Sequence, residues 1–149
     1  MSEEVMRKMG KLINYVMSKP DSGPFREPVD WKNLDLFDYP KIVKKPMDLG
    51  TVKRKLERGQ YQSANDCAAD IRLIWTNCKT YNADGSDFYL LAESFSKRFE
   101  DRYKKIEADC KYGTRFIPQC HLFEKKHLHG SFLTFTYIDL QILHHMIFR

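Results

Sequence analysis

The chain has 149 residues, 42% of them hydrophobic and 30% charged. That is one domain's length with room for a short extension, and its composition argues against wholesale disorder and against any need for disulfide staples. A formal net charge of +5 permits an acidic partner without specifying one.

The chain starts Met1-Ser2-Glu3-Glu4 with no apolar run behind it, which argues against a secretory signal. A first helix is expected from about Glu3 to Ser18. Val5, Met9, Leu12 and Val16 recur there on one face of a 3.6-residue period, and Glu3 and Glu4 suit the positive end of the helix dipole. Lys19-Pro20 and Gly23-Pro24 end it. From Pro20 to Pro46 runs a long connection with prolines at 20, 24, 28, 40 and 46. A connector of that length in a small domain is more often functional than idle. Its Phe25, Val29, Trp31, Leu34, Leu36, Phe37 and Tyr39 are too apolar to be left in water. Pro40 to Lys44 is predicted to form one helical turn, with proline in its first turn.

Asp48 then reads as an N-cap for a short helix with Leu49, Val52 and Leu56 on one face, stopped at Gly59. Ser63 with Asp66 three residues on resembles a capping box, and opens a helix carrying Cys67, Ile71, Ile74 and Cys78 on one face. That helix ends at Thr80-Tyr81-Asn82, and Asp84-Gly85 turns the chain. Ser86 caps a fourth helix in which Phe88, Leu91, Phe95, Phe99, Arg102 or Tyr103, and Ile106 keep the period. No strand alternation of note precedes residue 112. The expected fold class is therefore all-α: four amphipathic helices bundled, with the long connection between the first two.

Gly113 breaks the pattern, and a domain boundary is set near Lys111 to Thr114. Residues 1–112 form the expected domain and residues 113–149 a C-terminal extension of unknown structure. All five histidines lie in that extension. Its apolar stretch, Phe132 to Phe148, is interrupted by Asp139, Gln141, His144 and His145, so it is rejected as a membrane span. Cys67 and Cys78 are eleven helical residues, about 16 Å, apart, too far for a disulfide with each other. Free thiols in a reducing compartment are the expectation.

Catalytic signatures are missing. There is no GxGxxG, P-loop, HExxH or CxxC, and the region before residue 112 has no histidine to act as a general base. Asp84 and Asp87 sit in an expected surface turn, as capping residues rather than an acid–base pair. Cys110, Cys120, His121, His127 and His129 are metal-ligand types at a spacing that fits no structural zinc pattern. Lys44-Lys45 and Lys53-Arg54-Lys55 are the densest basic clusters; the second reads as a solvated helix face, with no base-reading signature beside it. Neither a cofactor nor a metal is expected, and nucleic-acid contact is expected to be weak and non-specific.

The more informative constellation is apolar. The connection offers Phe25, Val29, Leu34, Leu36 and Tyr39. Cys78 and Tyr81 close the third main helix, Asn82 follows, and Phe88 opens the next. One end of a bundle can gather these into a small apolar pocket holding one amide, the usual composition of a ligand site. Two readings of Asn82 stand side by side: that amide, or a helix C-cap in the left-handed region.

The order and spacing of Gly23-Pro24-Phe25, Pro28-Val29-Asp30, Asp38-Tyr39-Pro40, Lys45-Pro46-Met47-Asp48-Leu49-Gly50-Thr51, Asn77-Cys78 and Tyr81-Asn82 resemble a bromodomain over about residues 3 to 107. The chain is most similar to the bromo and extra-terminal and Gcn5-like groups. The resemblance implies a left-handed four-helix bundle that reads acetylated lysine on histone tails or other proteins, a nuclear location, a monomer, no enzyme activity and no membrane partner. It implies that Asn82 donates its amide to the acetyl carbonyl and that Tyr39 holds a water reaching the same oxygen. Phe25 and Val29 would receive the acetyl methyl, Leu34 and Leu36 would form the loop wall, Tyr81 would flank the amide and Phe88 would stand at the mouth. Pro24 and Cys78 complete the implied lining. Two departures are visible: Gly23 stands where many members have tryptophan, and Phe88 is bulkier than the isoleucine or valine found in others.

Overall fold

A computed structural model of the chain describes residues 1–112, with side chains through residue 110. The proposed extension and its histidines, with Cys120, lie outside the described residues.

Helix α1 spans Glu3–Met17 and is capped by Ser2, whose Oγ accepts the Val5 N–H at 3.3 Å. The connection is more structured than its prolines suggest. A 3₁₀ turn at Pro20–Ser22 runs into a one-turn helix, α2, at Gly23–Arg26, and a second single turn, α3, occupies Tyr39–Ile42. The expected turn at Pro40 to Lys44 thus begins one residue earlier and ends two earlier, with Pro40 in its first turn. Ser22 is fully buried. Its hydroxyl lies 2.8 and 2.7 Å from the Met17 and Lys19 carbonyls and accepts the Arg26 Nε–H at 2.8 Å. These bonds supply the partners that a buried polar loop requires.

Helix α4 spans Leu49–Glu57. The buried carboxylate of Asp48 accepts both the N–H and the hydroxyl of Thr51, at 2.7 and 2.6 Å. At its far end the Gly59 N–H donates to the Leu56 carbonyl and the Gln60 N–H to the Lys55 carbonyl, a Schellman closure that needs the positive φ of 66° at Gly59. A Cβ built on Gly50 would lie 2.6 Å from the Arg26 carbonyl oxygen, because α2 passes directly over the start of α4. Gly50→Ala should therefore cost about 1–3 kcal/mol by overpacking. A thermal melt checks this, and an unchanged Tm would mean that α2 is not clamped there.

Helix α5 spans Ala64–Tyr81 with both halves of the capping box in place: the Ser63 N–H donates to Asp66 Oδ2 at 2.9 Å and the Asp66 N–H to Ser63 Oγ at 3.2 Å. Helix α6 spans Asp87–Tyr112 and forms the largest helix interface, with α5. Tyr103, not Arg102, keeps its buried period.

The core runs through all four long helices. Met9, Ile13 and Val16 of α1 meet Leu49 and Val52 of α4, Cys67, Ile71 and Trp75 of α5, and Phe95 and Phe99 of α6. Burial pushes the Cys67 thiol up to about 12, so it stays protonated and inert. Two polar clasps fix α5. Arg72 makes a bidentate pair with Glu100 of α6 at 2.7 and 2.9 Å. Lys55 of α4 pairs with Asp70, which also accepts the Tyr61 hydroxyl at 2.8 Å. The expectation that Lys53, Arg54 and Lys55 form one solvated face therefore fails at Lys55, because Asp70 on the neighbouring helix captures its ammonium.

Candidate functional site

At one end of the bundle the connection folds over the joint between α5 and α6 and leaves a cavity of about 510 Å³. Every residue expected at the site lines it: Pro24, Phe25, Val29, Leu34, Leu36, Tyr39, Cys78, Tyr81, Asn82 and Phe88. The lining also includes Met47, Ile74 and Asn77, which had been given no role. Helical arithmetic contained the signal for two of them, since Ile74, Asn77 or Cys78, and Tyr81 recur at three- and four-residue steps and share a face of α5. Met47 gives no such signal; the fold of the connection brings it in.

The floor is aromatic. Phe25 meets Trp75 edge-on with centroids 5.0 Å apart and Phe95 at 5.5 Å, while Trp75 and Phe95 stack at 5.7 Å. On the loop side Tyr39 is buried and meets the ring of Tyr81 edge-on at 5.0 Å. The Tyr81 hydroxyl donates to Asp38 Oδ1 at 2.9 Å, and Asn77 Nδ2 donates to the Lys45 carbonyl at 2.7 Å. These two bonds tie the connection to α5 on either side of the cavity. Among the described residues the Tyr39 hydroxyl takes no protein partner, and burial raises its pKa, so it stays a neutral donor and acceptor.

Asn82 is the C-cap of α5, but not in the left-handed region: its φ of −94° and ψ of 145° are extended. The extended backbone lets both its main-chain N–H and its side-chain amide turn back on the last turn of the helix, reaching the Cys78 carbonyl at 3.0 and 2.8 Å. Asn82 Nδ2 also lies 3.6 Å from Cys78 Sγ. The Cys78 thiol in turn donates to the Phe88 carbonyl at 3.4 Å, and burial raises its pKa, which keeps the donating proton in place. The Asn82 amide is thus oriented by one firm bond to a carbonyl, while its other proton has only a thiol sulfur nearby, a weak acceptor.

The walls differ in exposure. Phe25 is buried and Val29 half-buried, whereas Leu34 and Phe88 are 60% and 50% exposed and stand at the mouth. Asp84 and Asp87 are exposed beside it, as expected of the turn. No group of three or more metal-ligating side chains occurs among the described residues.

A model of the family described as "Bromodomain" matches residues 9–94, more than half of the chain. Among curated proteins, Transcription factor GTE1 of Arabidopsis thaliana is 39% identical over 105 residues, covering 70% of this chain and 27% of that protein. Transcription factor GTE10 is 43% identical over 103 residues, covering 69% of this chain and 10% of that protein. Transcription factor GTE2 is 46% identical over 104 residues, covering 67% and 18%; both are from the same plant. The chain therefore spans between a tenth and somewhat over a quarter of the length of these relatives. Helix order, the capped α4 and α5, the tied-down connection and the match over residues 9–94 agree: the chain belongs to the bromodomain family, and the all-α four-helix bundle is that family's fold.

Proposed function

We propose that the cavity reads acetylated lysine, on histone tails or other acetylated proteins, as a nuclear binding module that acts in transcription and carries out no catalysis. The observation that carries the reading is the Asn82 amide, half-buried in an apolar cavity and held by Cys78 with its second proton poorly matched. An acetyl carbonyl is a far better acceptor than a thiol sulfur and would take that proton. Unmodified lysine is disfavoured for a separate reason. Its ammonium is strongly hydrated, and burying it unpaired costs several kcal/mol or more. Acetylation removes the charge and leaves an amide whose carbonyl needs a donor. The Tyr39 hydroxyl, free of protein partners among the described residues, would hold a water on the same oxygen, and Phe25 and Val29 would receive the methyl.

The test is an acetylated histone peptide array printed beside the same unmodified peptides. Capture of acetylated spots alone supports the reading; equal capture of both, or of neither, overturns it.

Phe88 governs access rather than anchoring. It stands half-exposed at the mouth, and its main-chain carbonyl, not its ring, is tied to Cys78. Phe88→Val should retain single acetyl-lysine binding within a few-fold while admitting bulkier acyl groups. Calorimetry with both ligand types checks this; complete loss of binding in a folded variant would make the ring a main contact.

Residues 1–112 constitute the proposed domain, because the buried core closes at Ile106. A chain ending at Tyr112 should keep its Tm and its affinity for the peptide. Loss of either would set the boundary further on.

A further inference from the structure

Away from the cavity, α1 and α6 lie side by side and carry a row of cations. Two contacts fix their register. Lys8 pairs with Asp109 at 2.7 Å, and the Arg102 guanidinium stacks 3.5 Å from the centroid of the Tyr15 ring. Moving forward along α1 from Lys8 to Tyr15 moves back along α6 from Asp109 to Arg102, so the helices run antiparallel. Along α6, Arg98 stands one turn before Arg102 and Lys105 one turn after it; one turn back along α1, Lys11 comes close to the level of Lys105, while Lys19, just past the end of α1, turns its ammonium back to the Tyr15 ring. The result is a ladder of three cationic levels about 5–6 Å apart, closed at one end by the Lys8–Asp109 pair.

These cations lack counter-charges. Among the described residues none of Lys11, Lys19, Arg98, Arg102 and Lys105 takes part in a salt bridge. Of the carboxylates nearby on α6, Asp109 is held by Lys8 at 2.7 Å and exposed Asp101 lies 3.9 Å from Lys104. At the central level two cations crowd one ring, since Lys19 Nζ also lies 4.2 Å from the Tyr15 centroid. Tyr15 responds to them: chiefly Arg102, and then Lys19, lower its pKa. Unneutralised like charges held together by packing are stabilised by an anion placed between them.

We infer that this α1–α6 face binds the phosphate backbone of duplex DNA. A linear row of separate cations suits a linear polyanion better than a compact phosphate, which calls for convergent donors. Three levels span about 10 Å of helix, enough to follow roughly three or four phosphates at about 3.4 Å of rise along one strand. Single strands are favoured by open aromatic platforms, and here the Tyr15 ring is occupied by Arg102 and Lys19. Arg98 follows Phe88 by ten helical residues, about 15 Å along α6, so the face and the cavity mouth can be occupied together. The inference is independent of what the cavity reads.

Fluorescence anisotropy of a labelled duplex of arbitrary sequence, with the full chain at two salt concentrations, tests it. Three phosphate contacts predict a loss of affinity of roughly forty-fold between about 50 and 200 mM salt, with little dependence on sequence. The triple variant Arg98→Gln/Arg102→Gln/Lys105→Gln should bind about tenfold or more weakly with a flatter salt slope. The control Lys41→Gln/Lys44→Gln/Lys45→Gln, with the same change of charge on the connection, should stay within about twofold. Lys11→Gln/Lys19→Gln leaves α6 untouched and should weaken binding in the same direction, which keeps the test decisive if the α6 triple is unstable. No binding at the lower salt, an equal loss in the control, or tighter binding to an oligoglutamate peptide of matched charge would each overturn the proposal, the last in favour of an acidic protein partner.

Discussion

Asn82→Ala should abolish measurable binding of an acetyl-lysine peptide and leave the bundle folded. The substitution removes one side-chain bond to the Cys78 carbonyl, but that carbonyl keeps the Asn82 main-chain N–H at 3.0 Å. The stability cost is then one half-exposed hydrogen bond, about 1 kcal/mol or less. The cost to binding is larger. The acetyl carbonyl would be buried among Phe25, Val29 and Tyr39 without its donor, a loss of about 1–3 kcal/mol. For a small ligand of micromolar to millimolar affinity, each 1.4 kcal/mol is about tenfold, enough to drop below detection. Circular dichroism and calorimetry on the same sample separate the two effects. A folded variant with unchanged affinity would sink the site assignment. A large fall in Tm with affinity retained would reduce Asn82 to a helix cap.

Trp75→Ala should be the most damaging single change to the fold. The indole is almost completely buried between Phe25 and Phe95, and truncation leaves a cavity the size of two rings. Such changes cost about 3–5 kcal/mol, a large part of a domain's total stability of about 5–15 kcal/mol. The effect reaches the site because Phe25, its floor, leans on Trp75 edge-on. Trp75→Phe should cost much less. It retains one ring, and it removes an indole N–H that has no partner among the described residues. Chemical denaturation of both variants checks the order. A Trp75→Ala loss below about 1 kcal/mol would mean that the aromatic floor is not a structural unit.

The four long helices were legible because each carries both period and punctuation. Asp48 and Ser63 announce α4 and α5 through caps that form as written, and Gly59 ends α4 with the positive φ its position requires. The connection was legible in composition but not in shape. Its short helical turns depend on Ser22 reaching the Met17 and Lys19 carbonyls and on α2 resting against Gly50, contacts with no sequence period. Asn82 marks the same limit. Its position after α5 could be read, but its extended backbone is set by the chain crossing toward Phe88, and the left-handed cap was one of two readings that spacing alone permits. Lys55 looked solvated because its partner, Asp70, lies on another helix.

The bonds that hold the connection down bear on how long a ligand stays. Ser22 with Arg26, Tyr81 with Asp38, and Asn77 with the Lys45 carbonyl are all bonds within the chain itself. A peptide therefore meets a mouth already in place, and association need not wait for a loop to fold. Docking on a ready-made surface proceeds at about 10⁵–10⁷ M⁻¹s⁻¹. At an affinity near 10 μM, that rate implies departure on the order of ten times a second. On the proposed reading, such a module would sample marks in rapid succession, and its dwell time would be lengthened by additional points of attachment rather than by a tighter pocket. Stopped-flow mixing reads the rate directly, and dissociation slower than about once a minute would mean that the connection closes over its ligand after all.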